Sequence, residues 1–142
     1  MDVAKALAAG LALNRTGFGL TYLLRPEQAR GSWIGRAARK PGAQVMIRSQ
    51  GVRDVALGAG ALRAATRDDP RELRAWMAAH GVCDLADLVV TWAARDHLPK
   101  RRARLAMAVA AGSTLVAAAA AAGLRGAGDQ PERVPAVDAK PA

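Results

Sequence analysis

The sequence predicts an all-α protein, a four-helix transmembrane bundle, and three observations carry that expectation. The stretch from Leu105 to Leu124 has twenty residues and no charge, with Ser113 and Thr114 as its only polar side chains. A helix of that length rises about 30 Å, the hydrocarbon thickness of a bilayer. Prolines at 26, 41, 70, 99, 131, 135 and 141 all fall outside the long apolar stretches. Proline cannot donate to a helical ladder and clashes with the preceding turn, so it marks boundaries. The aromatic residues collect near those boundaries: Tyr22, Trp33, Trp76 and Trp92, with Phe18 as the exception. Amphipathic rings concentrate at headgroup depth in membrane proteins.

Cut at the prolines, the chain yields helices over about 3–24, 43–62, 75–94 and 105–124, none with strand-like alternation. The first connection is the longest, and PEQARGSWIG within it reads as a turn of interfacial helix. Residues 1–125 then form one four-helix transmembrane domain. Residues 126–142 carry Gly, Pro and charge without periodicity and read as a disordered tail. The N-terminal apolar run reads as part of the mature protein, because Asp2 and Arg15 are out of place in a signal peptide.

The net charge of +9 raises the question of nucleic acid. The basic residues cluster in connections between apolar segments, with no recognition-helix or zinc-ligand pattern, so a nucleic-acid partner is not expected. Contact with anionic lipid headgroups explains them instead. The first and third connections hold more Arg and Lys than the opposite side, which puts them in the cytoplasm and both termini outside. The expected location is therefore the cell inner membrane, crossed several times. Cys83 is the only cysteine, so dithiol chemistry is excluded and a small buried hydrophobe is its expected role.

Charge inside three of the four segments is the anomaly. Segment one has Asn14 and Arg15, segment two has Arg48, Arg53 and Asp54, and segment three has His80, Asp84 and Asp87. A charge at mid-bilayer costs roughly 2.5–3.5 kcal/mol on translocon scales, so unpaired groups would defeat insertion. Three Arg balance three Asp, and pairing inside the bundle is the economical arrangement. His80, Asp84 and Asp87 follow i, i+4, i+7 and share a face. Depth pairs Arg48 with Asp87, and Arg15 or Arg53 with Asp84, leaving Asp54 to share an arginine or accept from Asn14. Arginine suits this role because its planar fork holds two carboxylates at once and stays charged. The small residues Gly17, Gly19, Gly51, Gly58 and Gly60 provide faces for close helix packing.

The segments NRTGFGL, RSQGVRDVALGAG and HGVCDLAD resemble, in their arrangement, small uncharacterised bacterial four-helix membrane proteins of the DoxX-like kind, over about residues 3–124. The resemblance implies an accessory role beside a respiratory or redox enzyme and supplies no catalytic motif. A metal on His80, Asp84 and Asp87 competes with three arginines for the same carboxylates, so no metal and no cofactor is expected. The function expected is an accessory or small-lipophile-binding membrane subunit whose partners are the bilayer and a membrane enzyme or lipophilic ligand. The alternative is a small membrane enzyme, an isomerase or redox protein, using an intramembrane Asp for proton transfer.

Overall fold

The structure, a computed structural model, describes residues 3–31 and 34–125. Trp33 and the tail expected over 126–142 lie outside the described residues. The described residues are all-helical, with four long helices: α1 (Val3–Leu24), α2 (Pro41–Thr66), α3 (Pro70–Ala93) and α4 (Lys100–Gly123). Two 3₁₀ turns, Pro26–Gly31 and Gly35–Arg39, occupy the first connection, and a third, Arg95–His97, leads into α4.

The helices overrun the apolar segments at their polar ends. Pro41 and Pro70 each stand at the first helical turn, where the missing N–H would have no partner anyway. Helix α4 takes in Lys100, Arg101, Arg102 and Arg104, which lie ahead of the apolar run that predicts a helix over 105–124. Apolar patterning does not register such turns, because their side chains face water. The α2–α3 turn is tied at several points. Asp69 caps α3 by accepting from the Glu72 amide at 2.9 Å, and Asp68 takes a left-handed φ of 56° that Asp tolerates better than most residues. Lys5 reaches across from α1 to Asp68 at 2.6 Å.

Glu72 accepts from Arg63 and from Trp76 Nε1, and these bonds hold its carboxyl below the ordinary glutamate range. A depressed folded pKa means stability that is present above the unfolded value and lost as pH falls through the folded one. The melting-temperature gap between wild type and Glu72→Gln should therefore be full at neutral pH and close on acidification below about 4.3. A gap that does not change with pH would mean that the carboxylate contributes nothing.

Each helix buries a narrow stripe. On α1 it is Ala4, Ala8, Ala12, Arg15, Gly19 and Tyr22; on α2, Ile47, Gly51, Asp54, Leu57, Gly58, Ala61 and Ala64; on α3, Leu73, Met77, His80, Asp84 and Thr91. Two apolar layers result. One joins Ala4, Ala8, Ala12, Ala61, Ala64, Leu73 and Met77 to Ala120 and Leu124, and the other joins Tyr22 to Ala29, Ala38 and Ile47. Between them lies a layer of ionisable groups. Tyr22 thus packs inward instead of marking a surface, and Cys83 is half-buried rather than enclosed.

Many of the large apolar side chains point the other way. Val3, Leu13, Phe18 and Leu24 on α1, Val45, Met46 and Val52 on α2, Val82, Val89 and Val90 on α3, and Leu105, Val109 and Leu115 on α4 are all more than half exposed. By length and composition α4 is the one helix among the described residues able to cross a membrane, and 11% of its apolar window is buried. A core helix of a water-soluble domain would be mostly covered.

Candidate functional site

The ionisable layer draws on all four helices. Arg15 of α1 reaches two neighbours, with Nη2 paired to Asp84 Oδ1 of α3 and Nε 3.6 Å from Asp54 Oδ1 of α2. All three side chains are more than nine-tenths buried. The opposite oxygen of Asp84 accepts from Ser113 Oγ of α4 at 2.6 Å. Nearer the surface, Arg53 grips Asp87 with both prongs, Nη1 to Oδ1 at 3.1 Å and Nη2 to Oδ2 at 2.7 Å. The same guanidinium reaches Asp54 Oδ1 through Nε at 3.2 Å and Nη2 at 3.1 Å. Bidentate pairing of this kind fixes direction as well as distance.

Several sequence expectations change in detail. Arg48 does not reach Asp87; it is exposed on α2, and Arg53 holds that carboxylate instead. The reason is helical phase. The buried stripe of α2 runs through Ile47, Gly51, Asp54, Gly58 and Ala61, and Arg48 sits about 100° round the helix from it. The cluster therefore holds two guanidiniums, Arg15 and Arg53, against three carboxylates, and loses the neutrality inferred from composition. Asn14 is exposed and gives no bond to Asp54, which shares both arginines. His80 is fully buried one turn from Asp84 but bonds to neither Asp84 nor Asp87. In the sequence Ser113 is only a polar interruption of an apolar run. Its neighbour Thr114 returns its hydroxyl to the Ala110 carbonyl of its own helix, so Ser113 alone makes a contact to the cluster.

A cavity of about 300 Å³ adjoins this layer, within the range of small-ligand sites. Asn14, Arg15, Gln50, Asp54, Asp84, Asp87 and Ser113 give it a polar floor, and Leu11, Phe18, Leu105, Ala106, Val109 and Ala110 give it apolar walls. Arg48, Arg53 and His80 do not line it. The walls come from α1 and α4, whose mutual seam is slimmer than the α1–α2 and α3–α4 seams. At its rim Phe18, Leu105 and Val109 are 55%, 66% and 62% exposed, so the mouth of the cavity is greasy.

No curated protein and no solved structure matches the chain. A family match covers residues 12–124, which takes in every residue of the ionisable layer and every cavity residue except Leu11. The chain belongs to the family described as Domain of unknown function (DUF4267).

Proposed function

We propose that this protein is a multi-pass inner-membrane protein that holds a small lipophilic molecule beside a buried Arg–Asp cluster, without catalysing a reaction, as an accessory subunit of a membrane enzyme. The single observation that carries the reading is the cavity's two-sided lining: a charged floor set deep in the bundle and apolar lips that open between α1 and α4. A water-soluble ligand has no use for such a mouth, whereas a molecule dissolved in lipid enters sideways through it.

The bilayer itself is supported by the reversal of ordinary burial. In water, large apolar side chains go inside and charges stay out. Here much of the interior is Ala, Gly and ion pairs, with Ile47, Leu57, Leu73 and Met77 among the larger apolar residues inside, while large apolar side chains face outward on every helix. Lipid as the solvent makes both halves of that pattern favourable: the outward residues are solvated by acyl chains, and small inward residues let helices approach. The basic end of the bundle, with Arg36, Arg39, Lys40, Lys100, Arg101 and Arg104, would face the cytoplasm.

Asp84 and Asp87 are poorly placed for acid–base chemistry. Both oxygens of Asp84 and both of Asp87 are already held by fixed donors. A proton-transfer group needs a free lone pair within reach of its substrate.

Two measurements test the reading. Membranes washed with alkaline carbonate should retain the protein in the pellet, and release to the supernatant would end the membrane proposal. Mass spectrometry of organic extracts from mildly solubilised protein should find a lipophile in the wild type that is depleted at least about tenfold in Ala106→Phe, whose ring fills the cavity wall. Equal amounts in the two proteins would remove the cavity from the binding event.

A further inference from the structure

The chemistry of the cavity floor restricts which lipophile it takes, and this step rests on the lipophile reading given above. Arg15 Nε, Arg53 Nε and Arg53 Nη2 all converge on one oxygen of Asp54, Oδ1, at 3.6, 3.2 and 3.1 Å. Its other oxygen, Oδ2, receives none of these contacts. Asp54 lines the cavity with a side chain only 9% exposed, so this oxygen sits where water is scarce. Asp84 and Asp87 each have both oxygens engaged. Among the floor carboxylates, Asp54 Oδ2 is thus the acceptor left for a guest.

Charge points the same way. Two guanidiniums face three carboxylates, so the cluster as a whole, of which Asp54 is the cavity-lining member with a spare oxygen, carries one negative charge in excess. Arg102 also lines the cavity, but at its far end: it precedes Ser113 by eleven residues on α4, about 16 Å of helical rise. One guanidinium nitrogen, Arg15 Nη1, has no hydrogen-bond partner among the described residues, which would suit an acceptor on the guest. It is enclosed by protein and presents no surface to the cavity, so it does not offer that contact. The floor accepts hydrogen bonds and favours positive charge.

We infer that the guest is a lipophilic amine: an ammonium head donating to Asp54 Oδ2, with its hydrocarbon chain lying between Phe18, Leu105 and Val109. Binding restores the neutrality that the cluster lacks, and a low-dielectric setting magnifies that gain. Carboxylate or phosphate heads add to the excess charge and are rejected, and a hydroxyl makes the bond without the compensation.

The test uses the full chain in lipid nanodiscs at pH 7 with three matched probes: dodecylamine, dodecanol and dodecanoate. Native mass spectrometry reads occupancy, and protein-free nanodiscs correct for partitioning. Dodecylamine should bind at least about tenfold more tightly than dodecanol, with no binding of dodecanoate. Asp54→Asn should erase the preference between amine and alcohol, chiefly by lowering the amine's affinity at least about tenfold. If Asp54→Asn does not fold, the wild-type order of the three probes decides alone. Equal binding of amine and alcohol, or a preference for dodecanoate, would overturn the amine and leave the lipophile reading standing. Absence of binding by all three would sink both.

Discussion

Replacing Arg15 by methionine should destabilise the protein by about 3–5 kcal/mol, the usual result of removing one partner from a buried ion pair. That is a large part of a typical domain's stability, so little folded protein should accumulate. Methionine keeps the volume and the flexible stem, which confines the loss to charge and hydrogen bonds. Arg15 is the group that ties α1 to both α2 and α3, through Asp54 and Asp84. Without it, Arg53 alone faces Asp54, Asp84 and Asp87, and the excess negative charge doubles. Arg15→Lys should fall between, since one ammonium lacks the planar fork that spans two carboxylates. The double variant Arg15→Met with Asp84→Asn returns the excess to its wild-type value. It should therefore be less unstable than the sum of its parts, a coupling that a double-mutant cycle in detergent measures directly. Arg48→Met is the control: Arg48 is exposed on α2, and the variant should melt like wild type. Arg15→Met melting with Arg48→Met would show that the buried pairing contributes nothing.

The contrast between those two arginines shows how far the sequence could be read. Apolar runs between prolines located the four helices, because a helix that buries one stripe and exposes greasy residues on the rest leaves few places for proline. Charge and polarity within those runs singled out Arg15, Asp54, Asp84 and Asp87, together with Asn14 and His80, which form no bond to the cluster, because ionisable side chains inside apolar runs need partners. Depth alone, however, could not choose between Arg48 and Arg53. The deciding signal was present in the spacing of Ile47, Gly51, Asp54, Gly58 and Ala61, which defines the inner stripe of α2. Arg53 neighbours Asp54 on that stripe's flank and leans onto Asp87, while Arg48 turns outward on the opposite flank. The cavity was not legible, because it depends on the unequal seams between helices, and no local pattern encodes a seam's width. Ser113 was visible only as an oddity until Asp84 was seen beneath it.

Gly51→Ala should destabilise the bundle by about 1–3 kcal/mol, as overpacking a tight contact does, although alanine is the better helix former by about 1 kcal/mol. Helices α1 and α2 cross with backbone against backbone. A β-carbon on Gly51 would stand 2.7 Å from both the Gly19 carbonyl oxygen and the Leu23 amide nitrogen. One on Gly19 would stand 2.7 Å from the Gly51 carbonyl oxygen and the Val55 amide nitrogen. Backbone atoms cannot rotate aside, so the two helices must part. Gly58, one heptad on, meets the Ala12 carbonyl oxygen at 2.7 Å, so the close approach runs past Asp54 on either side. Widening this crossing draws Arg15 of α1 away from Asp54 of α2, where the gap is already 3.6 Å. Packing and pairing are therefore coupled, and Gly51→Ala combined with Asp54→Asn should cost less than the two single changes added together. Gly10→Ala and Gly17→Ala give the opposite sign. Nothing lies within 4 Å of either position, so the gain in helix propensity stands unopposed and the melting temperature should rise. A rise for Gly51→Ala as well would mean that the α1–α2 crossing is looser than its backbone distances imply, and that Arg15 is positioned by its own ion pairs and not by the glycine contact.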